Sequence, residues 1–207
     1  MADWQGVGAR AILNGIPMNI EFEATFTGID KEAVRATLAG TGATCVRPES
    51  MMRRTVFNPP IDIPGGWMRV RDEGEKVTMS LKVVNGTSIE DQKEIQLVVD
   101  DFDSAVELLS SIGAEKKAYQ ETLRELWTLD GAEITIDTWP GLRPFVEVEA
   151  ADELIVRKVS EALGFDYATA KFCEVSTVYQ EELGIPPEVM KNQMPIITFE
   201  HPPVRYV

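Results

Sequence analysis

The sequence predicts an α+β fold: an eight-stranded, mostly antiparallel β-barrel with flanking helices. Three observations predict it. Extended segments number about eight, against three or four helical ones. Glycine-bearing hairpin signals join several of them, which makes neighbouring strands antiparallel. Several strands oppose a charged face to an apolar one, beginning with Glu21 and Glu23 against Phe22. Long antiparallel strands of this kind close or nearly close, because closure removes exposed edges.

Residues 1–17 hold three glycines, a proline and little periodicity, and are read as a poorly ordered leader. Within them GVGARA loosely fits a dinucleotide fingerprint, but it has neither the preceding strand nor the βαβ unit the motif needs. Residues 18–27 alternate as a strand. Asp30 can cap a helix running to about Ala39, stopped by Gly40 and Gly42. Residues 43–58 read as extended, and NPPIDIPGG over 58–66 as a loop. Strands follow at 67–72 and 76–84, with Asn85–Gly86 as a tight turn into a strand at 92–99.

A helix starts at Asp101 or Asp103 and shows Ala105, Val106, Leu108, Leu109 and Ile112 on one face before Gly113. Residues 115–128 are extended, Asp130–Gly131 turns the chain, and 132–138 returns. TWPGLRP leads to a strand at 145–150, a helix at about 151–163 and a last helix at about 174–183. From Pro186 the chain is a proline-rich tail expected on the surface, so the main domain is 18–185 and the tail 186–207.

Composition narrows the function. The chain has 207 residues, 44% hydrophobic and 26% charged, enough for a full core without metal or disulfide staples. Its net charge of −14 argues against a nucleic-acid polymer or an anionic membrane as partner. No run approaches a membrane span, and no basic start precedes an apolar run, so a cytoplasmic protein is expected, as monomer or homodimer. The two cysteines, Cys45 and Cys173, have no metal-ligand spacing. With His201 as the only histidine, Ser–His–Asp, Cys–His and His-rich zinc chemistries are set aside.

Residues i and i+2 of a strand share a face. Glu21 and Glu23, Arg69 and Arg71, and Glu147 and Glu149 therefore form like-charged pairs. Lys82, Glu94 and Arg124 add single charges on other strands. A solvated outer face is the plain explanation for any one pair. Yet each pair repels by about 2 kcal/mol at ~7 Å and an effective dielectric of ~20. The opposite faces (Ile20, Phe22 and Ala24; Phe145, Val146 and Val148) are apolar, as if covered by helices, which turns the charges inward. Carboxylates gather hard cations such as Mg²⁺ or Mn²⁺, and guanidiniums gather phosphate oxygens. Together they suit a metal–polyphosphate complex. Trp127 and Trp139 are read as packing or rim residues, with stacking on an aromatic ligand as the sharper alternative.

The ordered set resembles the CYTH superfamily, the triphosphate tunnel metalloenzymes. That superfamily includes class IV adenylyl cyclases, thiamine triphosphatases and inorganic triphosphatases. Its E-x-E-x-K strand reads EFEAT (21–25) here. MRRTVFN (52–58) resembles its arginine-bearing segment, RVR (69–71) its R-x-R strand and TMSLK (78–82) its lysine strand. Glu94 follows, then TLR (122–124) for K-x-R, IDTWPGLRPFVEVE (136–149) for the aspartate strand with E-x-E, and STVYQEELGI (176–185) for the closing helix.

The resemblance implies a tunnel acting on a triphosphate, with Mg²⁺ or Mn²⁺ as cofactor. It implies metal binding by Glu21, Glu23, Glu147 and Glu149, with Asp137 orienting ligands or joining the metal site. Arg69, Arg71, Lys82 and Arg124 would clamp phosphates, with Arg53 as a further candidate and Arg54 its rival, since adjacent strand residues face oppositely. Glu94 would orient the bases or touch a metal. Catalysis would fall to Glu21, Glu23, Lys82, Arg124 and Asp137. Two family lysines are replaced, by Thr25 and Thr122, and Lys171 is a candidate substitute for the first. The activity implied first is a metal-dependent phosphohydrolase. A cyclase making cyclic AMP and pyrophosphate, and a non-catalytic polyphosphate or nucleotide binder, are the alternatives.

Overall fold

The computed structural model describes residues 10–13 and 16–206. The strands are β1 (Arg10–Leu13), β2 (Ile16–Ile20), β3 (Phe22–Phe26), β4 (Thr44–Asn58), β5 (Gly66–Asp72) and β6 (Val77–Val84). They continue as β7 (Gln92–Val99), β8 (Glu115–Leu129), β9 (Ala132–Thr138), β10 (Phe145–Ala150) and β11 (Ile196–Ile197). The helices are α1 (Lys31–Gly40), α2 (Phe102–Ser111), α3 (Glu153–Ala162), α4 (Val175–Leu183) and α5 (Pro187–Asn192). The sheet order is β1-β2-β7-β6-β5-β4-β8-β9-β10-β3, antiparallel throughout, with β11 added parallel to β8.

The predicted first strand is broken at Glu21, and the break nearly closes the barrel. Its first half, β2, pairs with β7, while its second half, β3, pairs with β10 at the other edge of the sheet. The Glu21 amide donates to the Gln92 carbonyl at 2.9 Å and bridges the seam. The path therefore holds ten strands rather than the eight expected, because the first stave is split into β2 and β3 and β1 is added; β11 pairs off this path. Part of the expected leader is thus paired, through Arg10–Leu13. The glycines of GVGARA lie outside the described residues, and Arg10 and Ala11 sit in a strand rather than in a βαβ unit.

Local chemistry explains the element ends. Asp30, Asp101 and Asp152 cap α1, α2 and α3 by accepting from the amides of Ala33, Ser104 and Ile155 at 2.9, 2.7 and 2.9 Å. Such caps contribute about 1 kcal/mol each. Asp130 (φ 50°) and Gly131 (φ 84°) form the two-residue turn that sets Leu129 opposite Ala132. Asn85–Gly86 does not make the predicted tight turn. Val84 pairs with Gln92, so seven residues connect the strands, including a 3-10 turn at Ile89–Asp91. There Asp91 accepts from the Ser88 amide at 3.0 Å, a local alternative to a two-residue loop.

Helices cover the outer apolar faces, as the charge pattern required. Phe22, Ala24, Ile134, Ile136, Val146 and Val148 are buried against Val156 and Val159 of α3 and Val34 and Leu38 of α1. Each large aliphatic side chain so buried contributes roughly 1.5–3 kcal/mol. Val70 and Phe57 pack under Phe102, Ala105 and Leu109 of α2. The third cluster joins Trp139 and Phe145 to Tyr179 of α4, Ile185, Met190 of α5 and Ile197. The proline-rich tail is therefore partly built into the fold through α5 and β11, which the sequence pattern did not predict. Among the described residues, no helix is long and apolar enough to cross a membrane.

Candidate functional site

The barrel encloses a cavity of about 570 Å³. Its lining comes from both ends of the barrel. Arg47, Glu73 and Lys76 belong to the end where β4 starts and β5 turns into β6; Gly66, Val84 and Lys117 belong to the opposite end. A tunnel lined by charge is the result.

One wall is acidic. Glu21 and Glu23 come from the broken first stave, and Glu147 and Glu149 from β10. Register places Glu149 opposite Glu23 and Glu147 opposite Thr25. Phe22 and Val148, one residue away, are core. Burial raises Glu21, Glu23 and Glu149 to about 8, reinforced by neighbouring carboxylates and opposed by Lys82. Glu147 is raised too, by burial and then by Asp137.

The facing wall is basic. Arg69 and Arg71 of β5, Arg54 of β4, Lys82 of β6 and Arg124 of β8 all line the cavity. Most have a carboxylate holder. Lys82 Nζ lies 2.8 Å from Glu21, and Arg69 Nη2 donates to Glu94 at 3.2 Å. Arg71 Nε donates to Glu73 at 2.8 Å. Arg124 spans Asp137 and Glu147, at 2.7 Å each. Burial works against Lys82 and Arg124, yet Glu21 and Glu94 raise the first, and Asp137 and Glu147 the second. Burial also raises Glu94 on its own, but Lys82 and Arg69 hold it well below the carboxylate range.

Arg54 differs. It is 4% exposed, and among the described residues its side-chain hydrogen bond goes to a hydroxyl rather than to a carboxylate. Its Nη2 donates to the Thr122 hydroxyl at 2.7 Å, its guanidinium sits 4.6 Å from the Trp139 ring centre, and its Nε has no partner. Burial, then Arg69, Arg71 and Arg124, push it well below its ordinary range. The Nε atoms of Arg47 and Arg69 are likewise buried without a partner. Buried guanidinium donors without a partner among the described residues are chemically suited to an anion.

The choice between Arg53 and Arg54 is corrected here in favour of Arg54. Arg53 points outward, half-exposed, onto Asp72 at 3.0 Å and the Phe102 ring at 4.5 Å. Asp137 is fully buried behind Arg124, with one oxygen taken by Arg124 and the other by the Thr135 hydroxyl at 2.7 Å. That arrangement holds Arg124 in place and leaves no oxygen turned to the tunnel. Lys171 does not replace the family lysine: its backbone pairs with Thr25 while its ammonium goes to Glu181 at 2.9 Å. Trp139 lines the tunnel; Trp127 packs on the first core cluster and donates to Glu125. Sequence reasoning missed Arg47, Glu73 and Trp67 among the lining residues. Trp67 carried a usable signal, since it stands two residues before Arg69 on the same strand face.

Glu73 gathers three cations. Arg71 Nε and Arg47 Nη1 donate to it at 2.8 and 3.2 Å, and Lys76 Nζ lies at 3.8 Å. Burial would raise this carboxyl, but Arg71, Lys76 and Arg47 hold it down at about 2.

The sequence matches the CYTH domain family over residues 59–166, more than half of the chain. The chain belongs to the CYTH domain family. No curated protein sequence matches it. Solved structures similar to it include a conserved hypothetical protein from Pyrococcus furiosus (TM-score 0.63, 21% identity, covering 74% of this chain and 96% of that one). A candidate adenylate cyclase from Vibrio parahaemolyticus gives TM-score 0.66 at 14% identity, covering 80% and 98%. A candidate adenylyl cyclase from Hippeastrum, described as having a dominant triphosphatase activity, gives 0.50 at 12%, covering 81% and 98%. At these identities the likeness is one of fold.

Proposed function

We propose that this protein is a metal-dependent triphosphatase that hydrolyses a small triphosphate inside its barrel. The observation that carries the reading is the pairing of walls: four carboxylates face five cationic side chains, with buried guanidinium Nε atoms left open. The description of the Hippeastrum relative supports hydrolysis over cyclisation.

The donor set fits a hard divalent cation. Glu21, Glu23, Glu147 and Glu149 line one cavity and offer only oxygen, the ligand Mg²⁺ and Mn²⁺ prefer. Among the described residues, no three such side chains already form a compact metal cage. Phosphate oxygens would supply further ligands, as is usual for Mg²⁺. The bound cation would supply Lewis acidity toward phosphate oxygens and activation of water.

The chain's own groups do the remainder. Arg54, Arg69, Arg71, Arg124 and Lys82 bind the phosphate chain and neutralise charge that develops on it during in-line attack by water. Glu94 and Asp137 hold Arg69 and Arg124 in position. Arg124 pairs with Glu147 and Lys82 with Glu21, so the two walls meet at these contacts. Two free cysteines accord with a cytosolic setting.

The test is product analysis after incubation with ATP, thiamine triphosphate or tripolyphosphate in Mg²⁺ or Mn²⁺. Orthophosphate is expected. Cyclic AMP with pyrophosphate as the main product from ATP would replace this reading with a cyclase.

A further inference from the structure

The barrel end at the β5–β6 turn adds Arg47 and Lys76 to the cations that line the cavity. Arg47 sits near the start of β4, seven residues before Arg54, and lines the same cavity. It is 9% exposed, and its Nε is buried without a partner. Its Nη1 reaches the Glu73 carboxylate at 3.2 Å and the Glu73 carbonyl at 3.4 Å. The same carboxylate takes Arg71 and lies near Lys76. The Thr78 hydroxyl also points to it, at 3.5 Å. One buried carboxylate thus faces three cations, and an open guanidinium donor remains.

A carboxylate and a phosphate present similar oxygen geometry to a guanidinium fork. Glu73 therefore occupies the place an external anion would take. It comes from the turn after β5, where a side chain can withdraw without breaking the sheet ladder.

We propose that Arg47, Arg71 and Lys76 form a second anion subsite at this end of the tunnel, filled by Glu73 when no ligand is bound and by the terminal phosphate of the substrate when it is. The proposal rests on the triphosphate reading and adds to it. The ligand end lying here is anionic, and the organic portion of a substrate, where there is one, lies toward the opposite end. Glu73 competes with the substrate for its own holders.

The test is calorimetric titration with inorganic tripolyphosphate, in chelator and again in Mg²⁺, on wild type, Arg47→Gln, Arg47→Lys, Glu73→Gln and Arg54→Gln. Arg47→Gln is expected to weaken binding about ten-fold, the scale of a lost charge-assisted contact, with Arg47→Lys between it and wild type. Glu73→Gln is expected to lower the melting temperature yet tighten binding several-fold. A purely structural role for Glu73 predicts lower stability with equal or weaker binding, and that result overturns the proposal. Unchanged binding in folded Arg47→Gln, with Arg54→Gln impaired, overturns the subsite and leaves the triphosphate reading standing. No binding by wild type, or none lost in Arg54→Gln, overturns both.

Discussion

Arg54 Nη2 donates to the Thr122 hydroxyl at 2.7 Å, across adjacent strands of the barrel wall. Thr122 stands where the resemblance read from the sequence places a lysine. A second ammonium at that point would face a guanidinium already crowded by Arg69, Arg71 and Arg124. The threonine removes that repulsion and supplies an acceptor. The replacement reads as an adjustment of the clamp around Arg54, not as its loss.

Arg54 is thus expected to matter and Arg53 not. Arg54→Gln should weaken tripolyphosphate binding by about ten-fold or more, the scale of 1.5–3 kcal/mol for a hydrogen bond to a charged group. Arg53→Gln removes an exposed pair with Asp72 and should shift binding less than two-fold, since exposed pairs contribute about 0–1 kcal/mol. Calorimetry on both variants checks this. A larger effect at Arg53 would mean that the inward face of β4 is misassigned.

Acid should cost stability through Glu73. Its folded value, about 2, lies below the ordinary value near 4.5, so the unfolded chain binds the proton more readily. The stabilisation is full above the ordinary value and is lost as pH falls from about 4.5 toward 2. The shift corresponds to about 3 kcal/mol. The difference in unfolding free energy between wild type and Glu73→Gln should be largest near pH 6 and shrink steadily below pH 4. A gap independent of pH would show that the carboxylate's charge is not what the three cations hold.

Thr25 is buried, lies in register with Glu147 and shares its strand face with Glu21 and Glu23. Lys171, the candidate substitute for the lysine that the sequence resemblance places at this position, turns its ammonium to Glu181. Thr25→Lys should add a cation to the acidic wall and raise kcat several-fold without lowering the melting temperature. Unchanged kcat in a folded variant would mean that this position does not limit hydrolysis.

Tyr179 of α4 is fully buried and donates to the Pro140 carbonyl at 2.7 Å, tying the closing helix to the loop that carries Trp139. Tyr179→Phe leaves that carbonyl unpaired and should cost about 1–3 kcal/mol in chemical denaturation. A loss below ~0.5 kcal/mol would show that water or a shift of the loop satisfies the carbonyl.

Much of the site was legible because strand periodicity is strict. Once Phe22, Val70 and Val148 are assigned to the core, Glu21, Glu23, Arg69, Arg71, Glu147 and Glu149 must point the other way. The same rule could not choose between Arg53 and Arg54, nor find Arg47. Arg47 and Arg54 are an odd number of residues apart, so a regular strand cannot turn both inward. The register shift between Arg47 and Ser50 changes the parity, and a bulge leaves little trace in sequence. Glu73 stood in a turn, where no periodicity applies. The pairing of β11 was hidden for a different reason: two residues are too few to show a pattern.

The central claim is that the acidic and basic walls act together on a triphosphate. Its most direct measurement is orthophosphate release from tripolyphosphate, ATP and thiamine triphosphate, with Mg²⁺, with Mn²⁺ and with excess chelator. Wild type, Glu147→Gln and Glu107→Gln are compared side by side, Glu107 being an exposed residue of α2. Release from at least one substrate is expected only with metal, lowered by about a hundred-fold in Glu147→Gln and unchanged in Glu107→Gln. Full release in chelator, equal rates in the two variants, or tight binding with no turnover of any of the three would contradict the account.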